Sequence, residues 1–243
     1  LLAKKMKTVL SQEKRYEKAA QSMTQKPLEE EQIQLFFSDI QPLAASKVLL
    51  RLENETLSIG ERVLAQGLQL TVRGQEKIGI IGPNGVGKST LLAKLQQLLS
   101  DKRDISLGFM PQDYQETLNL DLSPVEFLNQ TGHKEELQKI QSHLASLNFS
   151  YPEMHHQIHS LSGGQQGKLL LLNLVLRKPN FLLLDEPTRN FSPTSQPEIR
   201  KLFANYPGGL VTVSHDRRFL KEVCTSIYSL TEHGLEVVDL QDL

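Results

Sequence analysis

The chain has 243 residues, 39% of them hydrophobic and 23% charged, with a net charge of −1, which places it among ordinary globular proteins with room for one large domain or two small ones. Its longest apolar run, Leu169–Leu176 interrupted by Asn173, is far short of a membrane span, and Leu1-Leu2-Ala3 leads into a lysine cluster and not into the long apolar stretch of a secretory signal. A single cysteine, Cys224, excludes an intramolecular disulfide and points to a reducing, cytoplasmic setting.

Charge is unevenly spread. Residues 1–26 hold seven basic groups (Lys4, Lys5, Lys7, Lys14, Arg15, Lys18, Lys26) against Glu13 and Glu17, leaving 20 basic and 26 acidic groups in the remainder. A basic arm on an acidic body points to a polyanion met by the arm, and equally describes a solvated helix face. In the arm, Leu2, Met6, Val9, Glu13, Tyr16, Ala20 and Met23 recur at heptad spacing, broken in character only by Glu13. This predicts one strand of a helical hairpin or coiled coil whose partner lies upstream, so the chain reads as a segment of something longer. Pro27 ends that helix, giving a linker over 1–27 and a body over 28–243.

The body alternates strand-like and helix-like segments. Ile33–Phe37, Lys47–Leu52 and Leu68–Val72 read as strands, followed by Lys77–Ile81. Then comes Gly82-Pro83-Asn84-Gly85-Val86-Gly87-Lys88-Ser89-Thr90, a Gly-x4-Gly-Lys-Ser run opening the helical Leu91–Leu95. Between a strand and a helix this is a phosphate loop. Its glycines let successive backbone N–H groups turn toward phosphates, and the helix N-terminus adds positive potential. Lys88 supplies a charge to the β- and γ-phosphates, and the Ser89 hydroxyl suits Mg²⁺. Beyond it, Ile105–Met110 reads as a strand, 123–160 as mainly helical from the start signal Ser123-Pro124, and about Gln165–Leu176 as a helix capped by Ser162. Phe181–Leu184 and Leu210–Val213 have the continuous apolar character of buried parallel strands. Met154–His159 carries histidines four apart and reads as a solvated segment, since no ligand cluster accompanies them.

Three further motifs follow in order: Leu161-Ser162-Gly163-Gly164-Gln165, Phe181-Leu182-Leu183-Leu184-Asp185-Glu186-Pro187-Thr188, and Val213-Ser214-His215-Asp216. With the phosphate loop, they resemble the ATP-binding cassette (ABC) ATPases over residues 32–243. The resemblance implies an α/β fold of the ABC type: a mixed, mainly parallel sheet core, an antiparallel β subdomain and a helical subdomain at about 113–161, with an N-terminal linker helix. It implies ATP and Mg²⁺ as cofactors. Asp185, with Ser89 and Gln112, would hold the metal, Glu186 would polarise the attacking water, and His215 would meet the γ-phosphate. Ser162, Gly163, Gly164 and Gln165 would contact the ATP held by a second, head-to-tail cassette. That cassette would lie on the same chain in the full-length protein or on a second copy of this segment, and two cassettes would complete each site.

Pro179-Asn180 ahead of the acidic motif and Gln165-Gln166-Gly167-Lys168 after the signature are similar to the ABC-F branch, and Arg189-Asn190-Phe191-Ser192-Pro193 to its antibiotic-resistance subgroup. Proteins of that branch are soluble, carry two cassettes joined by a helical hairpin, and act on ribosomes. The resemblance therefore implies a cytoplasmic protein with a ribosomal RNA partner and no stable membrane partner. The ATP-binding subunit of a membrane transporter carries the same catalytic motifs and is the alternative; a non-hydrolysing nucleotide sensor is opposed by Glu186 and His215. Two residues depart from the family pattern. Ser192 replaces the aspartate that usually ends the loop after the acidic pair, and Ile59 stands at the adenine-stacking position. Without a stacking ring, ATP and GTP affinities are expected to agree within about tenfold, or ~1.4 kcal/mol. A competition titration that finds ATP preferred several hundredfold would reveal a specific adenine pocket.

Overall fold

Phe181-Leu182-Leu183-Leu184 shows how the molecule is layered. All four side chains are buried, yet they divide by strand alternation: Phe181 and Leu183 enter one apolar cluster, Leu182 and Leu184 another. A strand buried on both faces belongs in the middle of a sheet covered on both sides. The structure, a computed structural model, describes residues 33, 35–129 and 132–243. The expected linker over 1–27 lies outside the described residues.

The central sheet has six strands in the order β4-β5-β6-β3-β7-β8: β3 (Lys77–Ile81), β4 (Leu107–Met110), β5 (Phe181–Asp185), β6 (Gly209–Val213), β7 (Ser226–Thr231) and β8 (Gly234–Val238). All neighbours are parallel except the β7–β8 hairpin, so the sheet is mixed. A separate antiparallel ribbon pairs β1 (Val48–Ile59) with β2 (Arg62–Arg73) through the two-residue turn Gly60-Glu61, where Gly60 takes φ 57°. Helix α1 (Lys88–Ser100) buries Leu91, Leu92, Leu95 and Leu99 between the ribbon and one sheet face. On the other face lie α5 (Gly163–Arg177), α6 (Gln196–Ala204) and α7 (Arg217–Val223), contributing Leu170, Ile199 and Phe219 among others.

Between β4 and α5 the chain makes helices α2 (Pro124–Leu128), α3 (Lys134–Ser146) and α4 (Tyr151–His155). Ser123 caps α2, its N–H donating 2.8 Å to Glu126 Oε2, and Ser150 does the same for α4 with Glu153 at 2.7 Å. The rings of Tyr151 and His155 meet at a tilt of 48° with centroids 4.5 Å apart.

The strand expected at Ile33–Phe37 does not form among its described residues. Ile33 and Leu35 are buried and Phe37 packs edge-on against Tyr206, so the inside–outside alternation is present, but no neighbouring strand pairs with the segment. Of the other strands, β4 is shorter than the expected Ile105–Met110, β7 and β8 have no counterpart in the sequence expectation, and β1 and β2 are extended. β1 and β2 each run for 12 residues, through polar stretches such as Glu53–Thr56, because a ribbon with one solvated face needs apolar side chains only on the other.

The loops that enter β5 and β6 are tied together by the buried Tyr206, whose hydroxyl donates 2.8 Å to the Pro179 carbonyl. Tyr206→Phe keeps the ring packing and strands that carbonyl. It should lower unfolding free energy in urea by about 1–2 kcal/mol with an unchanged denaturant slope.

Candidate active site

Parallel pairing sets the chain positions level. Ile80 lies opposite Val213 across β3–β6, Val213 opposite Asp185 across β6–β5, and Leu184 opposite Met110 across β5–β4. The loops leaving these four strands therefore open at one end of the sheet, the edge at which doubly covered parallel sheets bind ligands. They carry the phosphate loop, Gln112, Glu186 and His215. A cleft of about 650 Å³ is lined there by Asn84, Gly85, Gly87, Lys88, Ser89, Thr90, Gln112, Asp185, Glu186 and His215, with Ile59 and Leu64 supplying apolar wall. Gly82, Pro83 and Val86 shape the loop without lining the cleft.

The loop geometry depends on glycine at two positions. Gly82 has φ 149°, and a Cβ there would meet the Leu230 carbonyl oxygen at 2.6 Å. Gly87 has φ 106° and is the N-cap residue of α1, with Leu64 Cδ1 2.8 Å from where a Cβ would sit. Lys88 Nζ donates to the carbonyls of Gly82 and Pro83 at 2.8 and 2.9 Å, folding the side chain back across the loop. Burial pushes the Lys88 ammonium below the usual lysine range, while the charges of Glu186 and Asp185 pull it up.

The acidic pair is the electrostatic centre. Burial pushes the Asp185 carboxyl above the usual range, opposed by a hydrogen bond from Ser89 and by the charges of Lys88 and Arg189. Its Oδ1 is buried and has no hydrogen-bond partner. Burial also raises Glu186, opposed by the His215 backbone and imidazole and by Lys88, with Asp185 adding to the rise. Glu186 adopts φ 51°, a left-handed conformation costly for a residue with a Cβ. It is held by its N–H donating 2.9 Å to Val213 O and by its Oε2 accepting the His215 N–H at 3.3 Å. His215 Nε2 stands 3.5 Å from Glu186 Oε1 without hydrogen-bond geometry, leaving that oxygen unpartnered.

The signature residues fall outside this cleft. Ser162 caps α5: its Oγ accepts the Gln165 N–H at 3.3 Å and its N–H donates to Gln165 Oε1 at 3.0 Å. Gln165 Nε2 also donates 2.7 Å to Glu153 Oε1, fixing the helix start against α4. A Cβ on Gly163 would meet open space. The N-terminal turn of α5 is thus exposed and lies outside the cleft of its own chain.

Sequence reasoning overlooked Arg189 and Leu64 as lining residues. The signal for Arg189 was its place immediately after Thr188, in the loop that must leave the acidic strand end. Leu64 carries no motif.

A P-loop, an acidic strand end and a capped glycine-rich helix on a six-stranded mixed sheet define a nucleotide-binding cassette. The family model described as ABC transporter matches residues 65–189, and the chain belongs to that family. Among curated relatives, "Probable ATP-binding protein YheS" of Escherichia coli K12 is 30% identical over 210 residues, 84% of this chain and 33% of that protein. "Putative ATP-binding protein YdiF" of Bacillus subtilis is 32% identical over 244 residues, 97% of this chain and 38% of that protein. "Ribosome protection protein VmlR" of Bacillus subtilis is 30% identical, over 94% of this chain and 42% of that protein. The chain thus spans about a third of the length of the curated relatives it matches. In fold it is similar to a dimeric, post-hydrolysis structure of the ATP-binding cassette MJ0796 bound to ADP and Pi, with a TM-score of 0.65 and 20% identity over 78% of this chain and 98% of that one. Among the described residues, no helix is long and apolar enough to cross a membrane.

The raised carboxyls have a consequence for stability. A carboxyl whose native pKa exceeds its unfolded value, about 4.3 for glutamate, binds more protons folded than unfolded. Its contribution is fully present below the unfolded pKa and is lost as pH rises through the folded one. Glu186→Gln should therefore raise the thermal midpoint at pH 7.5 by a few degrees and leave it nearly unchanged near pH 4, as read by calorimetry at both pH values.

Proposed function

We propose that this chain is the ATP-binding and ATP-hydrolysing cassette of a two-cassette, ABC-F-type protein that acts on the ribosome, as a translation factor or in antibiotic resistance. The observation that carries the hydrolytic part is the convergence of Lys88, Asp185, Glu186 and His215 on one cleft at the level strand ends. Lys88 and the N–H groups of the loop bind the β- and γ-phosphates. The donors beside the buried, orphaned Asp185 Oδ1 are a carboxylate, the Ser89 hydroxyl and the Gln112 amide, a hard-oxygen set suited to Mg²⁺ that keeps waters and phosphate oxygens as its other ligands. When bound there, the metal neutralises charge on the β- and γ-phosphate oxygens.

Glu186 orients and polarises the attacking water through the oxygen that lacks a partner, and its raised pKa brings it toward the pH at which it works. His215 donates to the γ-phosphate. The exposed N-terminus of α5, with Ser162, Gly163, Gly164 and Gln165, serves the site of a second cassette. Dimeric cassette structures of similar fold support that pairing. The relative with a ribosome-protection name and the basic heptad pattern of residues 1–26 support the ribosomal role and a cytoplasmic location.

Glu186→Gln in the full-length protein should keep ATP affinity while lowering turnover by about 10²–10⁴-fold. With the counterpart glutamate of the other cassette also changed, ATP should trap the protein on ribosomes, weakly so at high salt. Unchanged turnover removes Glu186 from its role. A trapped mutant that leaves ribosomes in low salt and gathers on membrane vesicles replaces the ribosomal reading with the transporter one.

A further inference from the structure

Arg189 opens the Arg189–Pro193 run that follows the acidic motif. It leaves the acidic strand end three residues after Glu186, its N–H donating 3.1 Å to the Glu186 carbonyl. Its side chain is exposed and makes no hydrogen bond or ion pair among the described residues. It nevertheless lies close enough to Asp185 for its charge to act on that carboxyl. Arg189 also lines two clefts. One is the phosphate-loop cleft; the other, about 680 Å³, runs along Ala93, Gln96 and Phe109. The two share Ser89, Thr90, Gln112, Asp185 and Arg189, where α1, the Gln112 turn and the end of β5 converge.

A guanidinium that shares a cleft with a buried, orphaned carboxylate oxygen and acts on that carboxyl by charge has two natural partners: that carboxylate or an anion brought by a ligand. The carboxylate is within electrostatic reach and unpaired with it, which leaves the fork available. A triphosphate carries one more charged group than a diphosphate, and the group that must reach this wall is the terminal one if Lys88 lies on the β- and γ-phosphates.

We propose that Arg189 is a phosphate-binding residue acting within its own cassette: its guanidinium takes oxygens of the terminal phosphate, favours triphosphate over diphosphate, and shares the charge compensation that a divalent cation supplies. This rests on the nucleotide reading given above. The planar fork matches a phosphate bidentately, whereas asparagine offers a neutral amide, so this cassette holds its triphosphate more firmly when metal is scarce.

The test is equilibrium binding of ATP and ADP to the full 243-residue chain, each in Mg²⁺ and in EDTA, for wild type, Arg189→Asn, Arg189→Lys and Lys88→Ala. Arg189→Asn should weaken ATP in EDTA by about tenfold or more and ADP by less than about threefold, with a smaller ATP loss in Mg²⁺, and Arg189→Lys should fall between. The Arg189 side chain is exposed, and circular dichroism melts of each variant separate lost binding from lost folding. If Lys88→Ala abolishes ATP binding while Arg189→Asn leaves it unchanged in EDTA, Arg189 is not a phosphate ligand and the nucleotide reading survives. Tighter ATP binding in Mg²⁺ by Arg189→Asn also overturns the proposal, since it would mean that Arg189 competes with metal for Asp185. If wild type binds no ATP, or Lys88→Ala leaves its affinity unchanged, both readings fall.

Discussion

The site depends on hydrogen-bond register. Ile80, Val213 and Asp185 are held level by the pairing of β3, β6 and β5, and Met110 is level with Leu184 one strand further out. A one-residue slip of β5 would turn Leu182 and Leu184 toward the cluster occupied by Phe181 and Leu183, and would also move the acidic pair by about 3.3 Å along the strand. Core packing and site geometry are therefore fixed by the same constraint. The pairing that packs the apolar run of β5 between the two clusters also places Asp185 at its end and Glu186 just beyond it.

That placement sets the electrostatics. Lys88 and Asp185 are buried, Glu186 nearly so, and burial moves each toward its neutral form. Mutual attraction offsets part of this, yet one oxygen of each carboxylate still lacks a partner. A phosphate chain with its metal brings the missing complement: anionic oxygens for the lysine, a cation for Asp185 and water for Glu186. Poor self-compensation of the chain's own charges and affinity for a charged ligand are thus two aspects of one arrangement.

The parts legible in the sequence were those carried by contiguous residues. The phosphate loop, the acidic strand end and the Ser162–Gln165 cap each lie within ten positions, and β5 and β6 declare themselves by unbroken apolar character. The parts that were not legible depend on partners distant in the chain. Ile33–Phe37 has the apolar content and alternation of a strand, and only the absence of a neighbour to pair with distinguishes it. β7 and β8 are short and partly polar, and become strands because β3 presents a free edge to Ser226–Ser229. The left-handed φ of Glu186 has no local signature at all. It is imposed by Val213 O and the His215 N–H, which arrive from β6.

That conformation starts a loop that links the acidic pair to the signature helix of the same chain. From Glu186 the backbone turns through Arg189 and Asn190. The Asn190 carbonyl lies 3.4 Å from where a Cβ on Gly164 would sit, and the Phe191 ring fills the space beside Gly167. Tyr114, which follows the Gln112 turn, packs at the same place: its buried hydroxyl has no hydrogen-bond partner among the described residues and stands 3.0 Å from where a Cβ on Gly167 would sit. Ser192 then closes the loop on itself through Thr194 and the fully buried Ser195, each 2.9 Å away. Aspartate at this position would add a charge, whereas the serine hydroxyl is spent on its own loop. Its contacts make the 186–195 segment a packed strut between β5 and α5. The acidic pair and the start of α5 are thus joined by contacts at Gly164 and Gly167, and at Gly167 the Phe191 ring, 2.7 Å from where a Cβ would sit, leaves no room for a side chain.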